Sequence, residues 1–284
     1  MNAYADLTTL KSEAYANQVK TTNDTYLRKL LEDASRLIDK FCMRHFYCWE
    51  GKRYFDGAGS RLYLSDDLLS VTTLKSDPGA DGTFENSYTA NTDYLLYPLN
   101  GYPKTRIDIG YAAAYSDFAA EIPRGVEIDG VFGYGDGNSA TPYRDSGAVV
   151  NTGGMTDSIT THALATGKGA LFSVGQTVRI ENEQLYITSI STDTLTFLAN
   201  PARGQNGTTA AAHVAGKVIY IYEYPAPIVE ACLITAMRTW KRKDSAFQDQ
   251  VGIPELGIVM AKKGLDPDVI ERIAQYTKVL NSFA

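Results

Sequence analysis

Long apolar runs are missing from this chain. Nowhere do the roughly 18 apolar residues of a membrane span follow one another, and the first twenty residues contain no apolar stretch of the kind a secretory signal needs. Cysteine is nearly missing as well. Cys42, Cys48 and Cys232 are too few and too odd in number for a disulfide framework, which suits a reducing cytoplasm. Histidine occurs only at His45, His162 and His213, so candidates for a general base are scarce. No serine stands in a G-x-S-x-G elbow; the nearest string, Leu171-Phe172-Ser173-Val174-Gly175, lacks the first glycine. Gly167-Lys168-Gly169 has neither the spacing nor the hydroxyl of a phosphate loop, and Gly133-Tyr134-Gly135-Asp136-Gly137 departs from the dinucleotide fingerprint. Both read as turns. Basic residues are outnumbered, 27 against 33 acidic, and the net charge of −6 opposes a broad grip on phosphate backbones. These shortages favour a non-enzymatic protein with no cofactor and no membrane partner.

Tyrosine is plentiful, with 19 Tyr beside 10 Phe. Such usage fits either protein interfaces or a strand-rich core. Near the N-terminus Asp6 is placed to cap a short helix carrying Leu7 and Leu10. A stronger helix is predicted from about residue 24 to Arg44, its apolar stripe made of Leu27, Leu30, Leu31, Ala34, Leu37, Ile38 and Phe41. Leu30, Leu37, Ile38 and Phe41 are expected to pack on the helix that starts at Pro227.

Past His45 the period shortens. Strands are predicted at Arg53–Phe55, Leu62–Leu64, Ser70–Leu74, Tyr94–Tyr97 and Arg106–Ile109, with another through Val126, Ile128 and Val131. Residues 145–221 have a different texture, rich in Thr, Ser, Gly and Ala. There Val178 and Ile180, Leu185 and Ile187, and Leu195 and Phe197 alternate with polar neighbours, which predicts a small antiparallel barrel or sandwich closed by Lys217–Tyr222. Helix returns at Pro227 with Ile228, Ala231, Cys232, Thr235, Met237 and Trp240. A last helix is capped by Asp266, with Pro267 at its first position and a stripe of Ile270, Ile273, Ala274, Tyr276, Leu280 and Phe283. The expected fold class is α+β: a helical bundle core with short strands, discontinuous over 1–144 and 222–284, and an inserted antiparallel β module at 145–221.

Two patterns imitate metal sites. Cys42, His45 and Cys48 form C-x-x-H-x-x-C, with Cys232 as a possible distant fourth ligand, yet free Cys in such apolar runs behaves as a small buried hydrophobe. Asp77, Asp81 and Gly82 partly match a calcium loop, but Gly79 replaces a ligand and Tyr88 stands in the bidentate position, so a turn is the better reading. No metal is expected. Arg238, Lys241, Arg242 and Lys243 gather at the end of the Pro227 helix, where they complement the helix dipole or face an acidic partner or passing DNA.

Several strings together resemble the head-tail connector, or adaptor, proteins of tailed bacteriophages. They are Ala34-Ser35-Arg36-Leu37-Ile38-Asp39, Arg53-Tyr54-Phe55-Asp56-Gly57, Leu62 through Val71, Asp93-Tyr94-Leu95-Leu96-Tyr97-Pro98, Gly125-Val126-Glu127-Ile128 leading to Gly133-Tyr134-Gly135, and Trp240-Lys241-Arg242-Lys243-Asp244-Ser245. The resemblance covers about 1–135 and 223–284. It departs at 145–221, whose Arg203-Gly204-Gln205-Asn206-Gly207-Thr208-Thr209-Ala210-Ala211 run looks like β modules of phage structural proteins.

The resemblance implies a helical bundle and a homo-oligomeric ring, typically dodecameric, at the neck of the virion, made in the host cytoplasm. Its implied partners are the portal protein and a stopper, tail terminator or other neck protein. Double-stranded DNA would pass through the lumen without sequence-specific binding. Candidate assembly contacts are Arg238, Lys241, Arg242, Lys243, Ile270, Ile273, Tyr276, Leu280 and Phe283. The alternative is a capsid-associated binding module in which 145–221 recognises a glycan or another virion protein.

Overall fold

The computed structural model describes residues 2–15, 21–135, 142–200, 202–244, 250–253, 257–260 and 264–278. Two compact units emerge, one from Met1–Met43, Tyr143–Gln205 and Thr209–Ala284, the other from Arg44–Pro142 and Asn206–Thr208.

The unit centred on residues 44–142 is an antiparallel sheet with one buried face. Its strands are β1 (Trp49–Phe55), β2 (Arg61–Ser76), β3 (Asn86–Tyr88), β4 (Tyr94–Tyr97), β5 (Lys104–Ile109) and β6 (Val126–Phe132), in the order β1-β6-β2-β5-β4 with β3 on β2. Period-two alternation decides the faces: Leu62 and Leu64 turn inward to Ile107, Val126, Ile128 and Phe132, while Arg61 and Tyr63 turn out. β2 runs unbroken where two short strands were expected. Its ladder shifts register between Tyr63 and Leu68, and the charge of buried Asp67 is met by Arg44 Nε at 3.3 Å. Gly130 lets β6 lie close to β2, because a Cβ there would stand 2.2 Å from the Ser70 carbonyl oxygen.

The other unit holds the four α-helices among the described residues: α1 (Leu7–Tyr15), α2 (Asp24–Cys42), α3 (Ala226–Asp244) and α4 (Pro267–Ile273). It also holds a second six-stranded antiparallel sheet: β7 (Tyr143–Val149), β8 (Thr161–Ala163), β9 (Thr177–Ile180), β10 (Glu183–Ser191), β11 (Thr194–Phe197) and β12 (Val218–Tyr222), ordered β7-β12-β9-β10-β11-β8. β10 is the corner: Glu183 to Tyr186 pair with β9, while Ile187 to Ser191 pair with β11. A hairpin of β13 (Gln250–Ile253) and β14 (Gly257–Met260) completes the strands.

The core of this second sheet, from Ala148 and Val150 through Val178, Leu185 and Leu195 to Ile221, is drawn wholly from residues within 143–222. The sheet nevertheless clusters with the helices. Leu7 N–H donates to the Val174 carbonyl at 3.0 Å, and Arg28 Nη1 donates to the Thr188 carbonyl at 3.2 Å.

The structure overturns the helical-bundle fold class. Strand exceeds helix, and two six-stranded antiparallel sheets dominate. The physical reason lies in how little helical surface is available. α2 and α3 bury their stripes on each other, with Ser35 Oγ 3.4 Å from Cys232 Sγ, and α1 and α4 are only nine and seven residues long. The strands of residues 49–132, by contrast, bring a core of their own. Leu37 is a second correction. The buried stripe of α2 follows Leu27, Leu31, Ala34, Ile38 and Cys42, and Leu37, about 100° around the helix from Ile38, is 46% exposed.

Candidate interaction surfaces and the buried polar network

The basic residues singled out in the sequence are mostly engaged within their own chain. Arg238 Nη1 pairs with Asp266, the residue that caps α4 by accepting from Asp268 N–H at 3.1 Å. Lys243 Nζ lies 4.6 Å from the Trp240 ring centroid and 5.5 Å from that of Tyr26. Arg242 is half-buried, and Lys241 is exposed.

On α4, Ile273 and Val269 are fully buried, Val269 having been left out of the predicted stripe, while Ile270 and Tyr276 are half-buried. The last turn is tied back where Lys278 N–H donates to the Cys42 carbonyl at 2.8 Å. Leu280 and Phe283 lie outside the described residues.

The outer face of the first sheet carries a row the sequence did not disclose. Register sets Tyr63 and Tyr97 on either side of Arg106, whose guanidinium carbon is 6.0 Å and 4.4 Å from their ring centroids. Asp108 Oδ1 accepts from Arg106 Nε at 2.6 Å and holds it in place. On β1, Tyr54 is 42% exposed with the Arg124 guanidinium carbon 4.1 Å from its ring centroid, and a shallow cavity of about 420 Å³ touches both Tyr54 and Tyr63. Aromatic rings and arginines are the residue types that anchor protein contacts. Cross-strand register creates this row from three separate strands, so only knowledge of the pairing would have revealed it.

The second sheet is pinned by charges sealed inside it. Arg203 donates through Nη2 to Glu183 Oε2 at 2.7 Å, and through Nη1 to the Ile159 carbonyl at 2.8 Å and to the Thr156 carbonyl. His213 bridges Glu181 Oε2 at 2.9 Å and Glu183 Oε2 at 2.8 Å. Beside it, burial and the charge of His213 hold the His162 pKa below its usual value, consistent with a neutral ring accepting from Asn151 N–H at 3.1 Å. The Arg203-Gly204-Gln205 run is therefore a clasp between loop and strand. Glu183 is its buried centre at 1% exposure.

Of the metal-like patterns, the cysteines serve packing. Cys232 Sγ donates to the Leu31 carbonyl at 3.5 Å, and burial pushes its pKa up to about 11, away from the thiolate a metal requires. Cys42 Sγ lies 3.9 Å from the Ile273 carbonyl oxygen, and the His45 ring meets Tyr47 edge-on at 4.6 Å. Asp77, Asp81 and Glu85 do bring carboxylate oxygens within 4.8 Å of one another. Asp77, however, uses its oxygens on the turn itself, accepting from Gly82 N–H at 2.7 Å. Tyr88 is turned away toward Ser76 Oγ, 2.8 Å from its hydroxyl.

No protein-family model matches the chain, and no curated protein matches it in sequence.

Proposed function

We propose that the protein is a structural component of a tailed-bacteriophage virion: a neck adaptor that assembles into a ring, joins the portal to the stopper or tail, and lets genome DNA pass through its lumen. The observation that carries this reading is where the resembling strings fall. Arg53 to Phe55 lie on β1, Leu62 to Val71 on β2, Tyr94 to Tyr97 on β4 and Val126 to Ile128 on β6, and these four strands belong to one sheet. Ala34 to Asp39 and Trp240 to Asp244 lie on α2 and α3, which pack together. Strings far apart in sequence thus build shared frameworks, as a likeness of architecture requires. The framework is rich in strand, so the reading rests on the strings and their order and not on a bundle.

The outward Tyr63, Arg106 and Tyr97 row supplies anchors of the kind a closing heterologous interface needs. The net charge of −6 suits a channel through which DNA slides, because dense lysine contacts would hold each phosphate. The test is co-purification with the portal protein of the same virus: stable association supports the adaptor role, and a protein that neither self-associates nor binds portal contradicts it.

A further inference from the structure

Arg203 and His213 both reach Glu183 from the loop between β11 and β12, and they hold it by different chemistry. Arg203 grips with parallel N–H···O bonds, Nε to Oε1 at 2.8 Å and Nη2 to Oε2 at 2.7 Å, and a guanidinium keeps its charge whatever the pH. His213 holds on through an imidazole. Its Nε2 lies 2.8 Å from Glu183 Oε2 and its Nδ1 2.9 Å from Glu181 Oε2, with the ring 1% exposed and the Glu183 carboxylate wholly shielded. The backbone of the same residue bridges to Met155: Met155 N–H donates to the His213 carbonyl at 2.8 Å, and His213 N–H donates to the Met155 carbonyl at 2.7 Å.

Both ring nitrogens thus face carboxylate oxygens. An ionised carboxylate only accepts, so each nitrogen must bring a hydrogen, and a ring with hydrogens on both nitrogens is an imidazolium. The surroundings agree. On the turn between β9 and β10, Glu181 is held below the usual carboxylate range by the His213 ring and by Lys217, whose Nζ is 2.6 Å from Glu181 Oε1. From β8, His162 presents a neutral ring, kept so by burial and by the His213 charge, with Nε2 accepting from Asn151 N–H at 3.1 Å. The cations Arg203 and His213 therefore balance the carboxylates Glu183 and Glu181, and Lys217 stands at the rim. Taking one hydrogen from the ring turns a lone pair toward a carboxylate oxygen. Repulsion then replaces a hydrogen bond, in a site closed to water where little screens it.

We propose that His213 is a proton-dependent latch: its imidazolium clasps the loop to the turn between β9 and β10, and loss of one ring hydrogen as pH rises loosens the segment around His213 together with its bridge to Met155. Opening proceeds on the side of Glu181, whose side chain is 40% exposed and turns readily into water. Glu183 stays in place, fixed by Arg203 and by Ala211 N–H at 3.1 Å. The loop so keeps one permanent fastening and one that answers to protons, which makes the His213 segment a local opening unit within an otherwise intact sheet. The latch concerns the second sheet alone and does not rest on the neck role.

Magnetic resonance of the full-length protein with isotope-labelled histidine tests it, because ring nitrogen shifts report the hydrogens directly. His213 is expected to carry both ring hydrogens at the acidic end of the range and to lose one toward the alkaline end. Over the same interval, amide exchange at Met155 and His213, corrected for its intrinsic pH dependence, is expected to quicken about tenfold, the equivalent of one hydrogen bond. Glu181→Gln is expected to abolish that dependence. Position 181 is exposed, so the fold is kept, and the new amide donates to a ring nitrogen that has lost its hydrogen, which leaves protection level across the range. A ring with one hydrogen while both amides are fully protected, a ring that keeps both hydrogens to the alkaline end, amide protection that does not follow the ring hydrogen, or an undiminished pH dependence in Glu181→Gln overturns the proposal.

Discussion

Arg203 and Glu183 form a two-pronged ion pair inside the second sheet, with Nε to Oε1 at 2.8 Å, Nη2 to Oε2 at 2.7 Å, and both side chains almost wholly shielded from water. The pair holds the loop before β12 onto the start of β10. Arg203→Leu leaves the Glu183 carboxylate buried with only His213 and the Ala211 N–H to meet it. The expected cost is about 3–5 kcal/mol, read by chemical denaturation, because breaking one side of a buried pair strands the other charge. A loss below about 0.5 kcal/mol would mean that the clasp is open to solvent in solution.

Asp39 gives a pH signature. Burial pushes its pKa up to about 6 from 3.8, against the lowering pull of Arg36 and the hydroxyl of Tyr4. A carboxyl whose folded pKa is raised contributes stability that is full below the unfolded value and is lost as pH climbs through about 6. Stability of Asp39→Asn relative to the parent should therefore rise between pH 4 and pH 7, by up to about 3 kcal/mol. Parallel pH profiles for the two proteins would show that Asp39 is not buried as described.

Leu31 and Leu37 sit on the same helix with opposite fates, 1% and 46% exposed. Leu31→Ala is expected to cost about 2–5 kcal/mol and Leu37→Ala less than about 1 kcal/mol, measured by thermal or denaturant unfolding. Equal costs would place the core of this unit elsewhere.

Ending the chain after residue 263 removes Val269 and Ile273, both fully buried, together with the Asp266 partner of Arg238. The truncated protein should unfold at a lower temperature, since burying each such side chain contributes roughly 1.5–3 kcal/mol. A truncated protein of undiminished stability that fails to assemble would assign α4 to an interface instead.

What the sequence disclosed was local. Asp266 and Pro267 announced the start of α4 because a cap and its first residue act within one turn, and the alternation at Val178, Leu185 and Leu195 located β9, β10 and β11. What it hid was long-range. Separate strands were expected at Leu62–Leu64 and Ser70–Leu74, yet β2 continues through Asp66 and Asp67, where Arg44, 23 positions before Asp67, meets the buried charge. The bundle expectation came from amphipathic helices near both ends, whose stripes do not disclose how short two of the helices are. The Tyr63 and Arg106 row depends on strand register, which no single window of sequence holds.

The adaptor reading is tested most directly by negative-stain imaging of the purified full-length protein, alone and mixed with its portal. The account predicts closed rings with a central lumen wide enough for a DNA duplex, roughly 20 Å, seated coaxially on the portal. Particles that stay monomeric at high concentration and leave the portal bare would contradict it.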